Sequence, residues 1–207
     1  AGRRDHLFLA IEHLRKGQGD AFERELAAME KIRSAIKIDP FFLAKLGTLY
    51  ARAGKVRQAE RILEDVRSAV GVVLVASGIS RSNQTDQAAF QRLKGEIELA
   101  RGQNEQALDS FGQAANLREL QLEDTLALTY RKSGNIDKAI EKYLEFLRVD
   151  VLGYEAQDAW CMASYELGAL YEKKGRPDEA AKYFGRFREL WKDADPDILA
   201  ALANASR

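Results

Sequence analysis

Residues 167–184 have the sequence LGALYEKKGRPDEAAKYF, and the spacing of the small residues in this stretch predicts the fold. Gly168 is followed seven positions later by Gly175 and twelve positions later by Ala180. Seven residues make about two helical turns, so the first glycine lies within a helix and the second lies where a left-handed residue can end it. The alanine lies on the next helix, where a small side chain lets two helices approach closely. The stretch therefore predicts a helical hairpin.

The same spacing occurs four times along the chain. The other three sets are Gly47, Gly54 and Ala59, then Gly95, Gly102 and Ala107, and then Ala127, Gly134 and Ala139. Three of the four sets have a tyrosine three positions after the first small residue, and these are Tyr50, Tyr130 and Tyr171. A large side chain lies sixteen positions after each first small residue, at Leu63, Phe111, Tyr143 and Phe184. A unit that recurs in this way predicts a stack of hairpins, each in contact mainly with its neighbours.

This pattern resembles the tetratricopeptide repeat, whose signature places Leu-Gly, Tyr, a turn Gly, Ala and Phe in this order. The best matches are Leu46-Gly47-Tyr50-Ala59 and Leu167-Gly168-Tyr171-Ala180-Phe184. The resemblance extends over about residues 41–190. It implies an all-α solenoid of helical hairpins wound as a right-handed superhelix, with a divergent N-terminal hairpin and a C-terminal capping helix.

We expect residues 1–207 to form a single solenoid. Its predicted parts are a divergent capping hairpin at 5–38, repeats at 41–76, 86–118, 120–149 and 158–192, and a capping helix at 196–206. The N-terminal hairpin is predicted to break at residues 16–20, with Asp20 as an N-cap. An apolar run, Val72–Val75, followed by a polar stretch at 77–85 predicts a long second helix and then a loop.

The composition limits the kinds of partner and the cellular compartments that we expect for this chain. The chain has 32 basic and 32 acidic residues, so we expect no general attraction to nucleic acid or to an anionic membrane. The single cysteine, Cys161, excludes an intrachain disulfide, and we expect a buried thiol. No stretch reaches the roughly 18 apolar residues that span a bilayer, and the N-terminus has no signal-peptide pattern. These features predict a cytoplasmic protein, or a piece excised from a longer chain.

The sequence lacks the motifs of the common catalytic sites. A kinase needs a glycine-rich phosphate loop and a His-Arg-Asp loop, and neither string occurs. A phosphate-binding loop ending at Gly54-Lys55 would need a glycine at position 49, which is Leu49. His6 and His13 lie on one helical face but about 10 Å apart along it, too far for one metal ion. We therefore predict no enzyme activity, no metal and no cofactor.

Partner contacts are implied by the resemblance, because first helices of successive hairpins line a groove in this family. The candidates for partner contact are Arg52, Arg92, Glu96, Arg131, Lys132, Tyr165 and Lys173. Cations in this set could pair with an acidic peptide, with Tyr165 as an aromatic anchor. Solvated helix surface is the competing interpretation. The groove positions also include Phe41, Ala44, Thr48, Ala51, Leu99, Gln121, Asp124, Leu128, Met162, Ala169 and Glu172.

The chain is thus predicted to be a non-catalytic scaffold that binds a protein or a peptide. Its ending at 190–197, LWKDADPD, resembles tetratricopeptide regions of bacterial signalling proteins that carry kinase, adenylate cyclase or DNA-binding domains. That resemblance implies a regulatory or interaction region of such a protein. Two alternatives stay open. One is homo-oligomerisation, as a homodimer through Val72–Val75 or the terminal helix, and the other is an effector-sensing region that controls a linked domain.

Overall fold

The structure, a computed structural model, describes residues 3–35, 39–77, 81–117, 123–149 and 157–192. All regular secondary structure within these ranges is α-helical, as the sequence predicted. The ten helices described are α1 (Arg3–Arg15), α2 (Gly19–Ala35), α3 (Pro40–Arg52), α4 (Val56–Ser77), α5 (Arg81–Ala100), α6 (Asn104–Asn116), α7 (Glu123–Lys132), α8 (Ile136–Phe146), α9 (Gln157–Lys173) and α10 (Pro177–Leu190). The chain divides into two compact units, Ala1–Leu120 and Gln121–Arg207.

The first unit contains three hairpins, formed by α1 with α2, α3 with α4, and α5 with α6. Helix α5 also packs against both helices of the hairpin before it. A continuous apolar core runs from α1 to α5 and includes the fully buried side chains of Leu26, Leu46, Ile62 and Leu93. The hairpins are therefore stacked through side chains that each helix presents to the next hairpin.

The second unit contains two hairpins, α7 with α8 and α9 with α10. Helix α9 packs against α8 and, to a smaller extent, against α7. Its core is built around Ala127, Phe146, Ala163 and Leu167, all fully buried.

Each of the five hairpins ends its first helix with the same glycine turn. Gly17, Gly54, Gly102, Gly134 and Gly175 have φ values between +65° and +80°. In the second hairpin the amide of Lys55 donates to the carbonyl of Tyr50 at 2.8 Å, and that of Gly54 donates to Ala51 at 3.0 Å. The other four turns have the same pair of bonds, which defines the Schellman motif. Only glycine adopts this conformation without strain, which is why the pattern contains it at fixed spacing.

Glycines within the first helices lie where the packing leaves no room for a side chain. A Cβ atom at Gly95 would be 2.5 Å from Cε1 of Phe111, and one at Gly168 would be 2.6 Å from Cδ1 of Phe184. At Gly47 the nearest atom is instead Cδ2 of Leu93, at 2.6 Å, on the next hairpin. Gly95 and Gly168 thus permit close contact within a hairpin, whereas Gly47 permits close contact between two hairpins.

The alanines of the repeat signature lie on the second helices and are enclosed by the packing. Ala59, Ala107 and Ala139 have no exposed surface at all, and Ala180 is buried as well. A side chain that ends at Cβ lets the second helix lie close to the helices around it. Because no partner can reach these four residues, their role is to maintain the fold, and they are not part of a binding surface.

Some boundaries differ from those expected. Helix α4 has 22 residues, so the long second helix is confirmed. The polar stretch 77–85 was expected to be a loop, but α5 begins at Arg81 and includes residues 81–85 of it. Gln84 and Thr85 are exposed, and polar residues are compatible with the exposed start of a helix.

Two further expectations are corrected. Asp20 is not an N-cap, since α2 already begins at Gly19, and its carboxylate lies in the first turn near the positive end of the helix dipole. Cys161 is half-buried rather than fully buried.

Other expectations fall outside the described residues. These are the capping helix at 196–206, Gln121, and the side chains of Val72–Val75, although the backbone of that run belongs to α4. The single solenoid over residues 1–207 stays a prediction.

Candidate functional site

Helix α3 is buried on all sides except along one line of residues. Phe41, Lys45, Thr48 and Arg52 are the only residues of α3 that are not buried, and their spacing places them on one face of the helix. We call these four residues the α3 stripe. Phe41 is 39% exposed, and the Lys45 ammonium lies 4.5 Å from the centroid of its ring. The groove candidates Ala44 and Ala51 are buried, so they are not accessible to a partner.

Two of the predicted contact residues bind each other. The guanidinium of Arg52 donates from Nε to both oxygens of the Glu96 carboxylate, at 3.2 and 3.1 Å, and from NH2 to Oε1 at 2.6 Å. Glu96 is 2% exposed and belongs to α5, so this bidentate pair joins neighbouring hairpins. A buried carboxylate held in this way stabilises the stack mainly by avoiding an unpaired buried charge. The other candidates on α5 are a half-buried Arg92 and a buried Leu99.

In the second unit, the candidates on α7 and α9 form a partly accessible face. Its members are Asp124, Leu128, Arg131 and Lys132 on α7, and Met162, Tyr165, Ala169, Glu172 and Lys173 on α9. The guanidinium of Arg131 donates to Glu166 at 2.8 Å, which ties the two helices together. Lys132 and Lys173 are exposed, and neither forms an ion pair with another residue that the structure describes.

The ring of Tyr165 packs inside its own hairpin. Its centroid lies 5.6 Å from that of Phe184 and 5.4 Å from that of Phe187, both on α10. Such tilted aromatic contacts fix the ring in place. Tyr165 is half-buried, so only part of its surface is available to a partner.

The structure also contains ion pairs that the sequence pattern did not predict. Each joins the turn of one hairpin to the second helix of the hairpin before it. The pairs are Lys55 with Glu23 at 2.5 Å, Arg101 with Glu60, and Lys174 with Asp137. In each case the cation is next to the turn glycine and the carboxylate lies near the start of the second helix, but the two residues are 32, 41 and 37 positions apart, so no constant spacing marks these pairs in the sequence. Exposed pairs of this kind contribute about 0–1 kcal/mol each.

The irregular residue Glu98 has a structural role in its hairpin. It occupies the position that holds tyrosine in the other repeats, and its carboxylate accepts a hydrogen bond from the Ser110 hydroxyl at 2.7 Å. In the preceding hairpin the hydroxyl of Tyr50 donates to Glu30 of α2 at 3.0 Å. Burial, together with this carboxylate, raises the pKa of Tyr50 well above its usual value. This position of the repeat therefore carries a polar contact to another helix in both hairpins.

Within the described ranges, no three His, Cys, Asp or Glu side chains come together as a possible metal site. No helix in the same ranges is both long and apolar enough to cross a membrane.

Hairpins closed by left-handed glycines and stacked through small residues define the class of the protein, which is an all-α helical repeat protein. Residues 125–197 match the sequence model of a family described as tetratricopeptide repeat. Among curated protein sequences, none matches this chain significantly.

The chain is also similar to solved structures. One is the TPR-like repeats of a candidate kinesin light chain from Podosopora anserina, 18% identical, with a TM-score of 0.50, over 93% of this chain and 96% of that chain. A variant of the same repeats has the same identity and TM-score, over 91% of this chain and 93% of that chain. MamA is 25% identical over 84% of this chain and 91% of that chain, with a TM-score of 0.49.

Residues 125–197 thus resemble the tetratricopeptide repeat, and the helical hairpins of the described residues agree with that resemblance. Repeats of this family generally mediate protein–protein interactions, and proteins with this fold are typically non-catalytic scaffolds.

The Arg131–Glu166 pair gives a pH-dependent prediction. Burial raises the pKa of the Glu166 carboxyl group, and Arg131 opposes this shift only in part. A carboxyl group whose pKa is higher in the folded chain makes folding less favourable as the pH rises through that range. We therefore expect Glu166→Gln to be more stable than the wild type at pH 7, by less than about 1 kcal/mol, because the amide oxygen still accepts from Arg131.

Urea denaturation at pH 7 and pH 4 measures this difference, which should shrink at pH 4, where the wild-type group gains its proton. Glu141→Gln, at an exposed position in the middle of α8 and away from both ends of the helix dipole, serves as the control and should leave the stability unchanged at both pH values. A Glu166→Gln variant less stable than the wild type at pH 7 would show that the ion pair outweighs the cost of burial.

Proposed function

We propose that this chain is a non-catalytic scaffold that binds a protein or peptide along the first helices of its hairpins. The observation that carries the proposal is the α3 stripe, where an exposed aromatic side chain, Phe41, lies on a helix that is buried outside this stripe. Burial of such an aromatic side chain in a partner is a common source of binding energy.

The charges near this surface suggest the chemistry of the partner. Lys45 lies beside Phe41 on the α3 stripe, with its ammonium group 4.5 Å from the centroid of the ring. A peptide with an apolar anchor flanked by carboxylates complements this arrangement. Arg52 contributes less to it, because its guanidinium group already binds Glu96.

The finer part of the proposal is that the chain is an interaction region of a bacterial signalling protein. It is supported by the resemblance of residues 190–197 to such proteins and by no contact within the structure. The gene that encodes the chain provides the test. A reading frame that also encodes a kinase, cyclase or DNA-binding domain would support this role, and a complete frame without one would contradict it.

Selection of peptides tests the binding surface. Ligands selected from a random peptide library on the wild-type chain are labelled, and their Kd is measured by fluorescence anisotropy. We expect Phe41→Ala and Lys45→Glu to raise Kd at least about tenfold, which corresponds to about 1.4 kcal/mol. The control is Arg24→Glu, which makes the same charge change at an exposed position of α2 and should leave Kd within about twofold.

Two outcomes would count against the proposal. If the selected peptides bind Phe41→Ala as tightly as the wild type, the α3 stripe is not the binding surface. If selection yields no ligand at all, the chain does not act as a peptide-binding scaffold.

A further inference from the structure

The second helices of the five hairpins share two exposed positions. The residues three and seven positions after each turn glycine are exposed in every hairpin. They are Asp20 and Arg24 on α2, Arg57 and Arg61 on α4, Glu105 and Asp109 on α6, Asp137 and Glu141 on α8, and Asp178 and Lys182 on α10. Helix α4 has two cations at these positions, and α6, the next second helix, has two carboxylates. We call these the α4 pair and the α6 pair.

The α4 pair is unfavourable within its own helix. Helices α2, α6, α8 and α10 each carry an acidic residue in the first turn, where the helix dipole favours negative charge, whereas α4 carries none there and has Arg57 instead. A charge that is unfavourable for its own helix indicates that the residue contributes to an interaction outside that helix.

The carboxylates of α4 do not compensate the α4 pair, because each binds another cation. Glu60 binds Arg101, Glu64 binds Arg67 at 3.4 Å, and Asp65 binds Arg33. Arg57 and Arg61 form no ion pair with any residue in the described part of the chain. The α4 pair therefore presents two exposed guanidinium groups, neither of which is in an ion pair with a described residue.

The α6 pair has the complementary arrangement. Glu105 and Asp109 are exposed, and within the described ranges neither forms an ion pair. Both pairs consist of residues four apart, so their charges are separated by about 6 Å along the helix. Both begin at the second residue of their helix. Two carboxylates on one surface thus match two guanidinium groups on another in sign and in spacing.

We propose that the first unit self-associates as a two-fold symmetric dimer, in which the α4 pair of each copy binds the α6 pair of the other. Consecutive helices run antiparallel, so α4 and α6 point in the same direction. We place a two-fold axis in front of the surface formed by α4 and α6, parallel to these helices and midway between them. Rotation about this axis brings α4 of one copy opposite α6 of the other, with their N-terminal ends together. One such operation makes both contacts at once, as a closed dimer requires.

A second copy of this chain fits the α4 pair because the chain itself provides the matching carboxylates in the same register. The formal net charge is zero, so long-range repulsion between copies does not oppose association. The contact is polar, and exposed charges are screened within about 8 Å at physiological ionic strength. The dimer is therefore weak and sensitive to salt.

Sedimentation velocity of the full chain over a concentration series tests this dimer. We expect the wild type to associate in 25 mM NaCl, with Kd at least about tenfold weaker in 300 mM NaCl. Arg57→Glu/Arg61→Glu should raise Kd at least about tenfold in 25 mM NaCl, and so should Glu105→Arg/Asp109→Arg. An equimolar mixture of these two variants should associate as well as the wild type, because one contact then has its wild-type charges and the other is restored with reversed charges.

The control is Arg24→Glu/Lys182→Glu, which makes the same change in net charge at the same register positions of other helices. It should associate like the wild type. Circular dichroism establishes that each variant is folded, and every substituted residue is exposed. Three results would overturn the proposal: a monomeric wild type in 25 mM NaCl, unaltered association of Arg57→Glu/Arg61→Glu, or equal weakening by the control.

A labelled poly-glutamate peptide tests the alternative that the α4 pair binds an acidic segment of a different protein. We expect the peptide to bind no more weakly to Arg57→Glu/Arg61→Glu than to the control variant. Selective binding to the control, together with a monomeric wild type, would assign the α4 pair to an acidic segment of a different protein.

Discussion

Replacing Gly95 with leucine is expected to lower the free energy of unfolding by about 3 kcal/mol or more. Already the first added atom, Cβ, would lie 2.5, 2.7 and 2.9 Å from three atoms of the Phe111 ring. Phe111 is fully buried at the centre of its hairpin, so its ring has no free space to move into. The remaining three carbons of leucine would force α5 and α6 apart. Urea denaturation followed by circular dichroism measures the loss.

The same hairpin offers a matched control at Gly112, which lies in the interior of α6. A Cβ atom there would meet nothing within 4 Å, so Gly112→Ala should stabilise the chain by about 0.5–1 kcal/mol through helix propensity alone. Gly95→Ala gains the same propensity, but the overlap with Phe111 costs about 1–3 kcal/mol, and we expect a net loss. If alanine stabilised both positions equally, close packing at Gly95 would not be what holds this hairpin together.

Contacts within a hairpin could be predicted from the sequence, but contacts between hairpins could not. Spacing alone places Phe111 against Gly95 and Phe184 against Gly168, because both members of each pair lie on one hairpin of fixed geometry. The same spacing pairs Gly47 with Leu63, whereas its closest neighbour is Leu93. The position of Leu93 depends on how α5 stacks on α3, and that in turn depends on the 22-residue length of α4.

The α3 stripe could likewise be predicted from the sequence only in part. Positions taken from the family pattern include Phe41, which is exposed, but also Ala44 and Ala51, which are buried. Lys45 belongs to the α3 stripe although the pattern does not include it. The family positions assume a uniform stack, whereas the accessible side of each helix depends on the neighbours it actually has.

The Arg52–Glu96 pair gives the second large expected effect. Arg52→Met leaves the Glu96 carboxylate buried without its partner, and we expect the variant to lose about 2–4 kcal/mol of stability. The Arg52→Met/Glu96→Met variant should recover most of this loss, because it leaves no unpaired charge buried between the hairpins. Lys45→Met, another cation of the α3 stripe, is the control and should cost less than about 1 kcal/mol.

These two residues are 44 positions apart, which is why the sequence presented them as separate contacts for a partner. The denaturation midpoints of the three variants distinguish the two roles. If Arg52→Met loses no more stability than Lys45→Met, the buried Glu96 carboxylate does not need the guanidinium of Arg52. Arg52 can then exchange Glu96 for a carboxylate of a partner. If Arg52→Met loses the expected amount, a partner carboxylate that displaced Glu96 would recreate the same unpaired buried charge. Arg52 would then hold the stack together, and recognition would depend on Phe41 and Lys45 beside it.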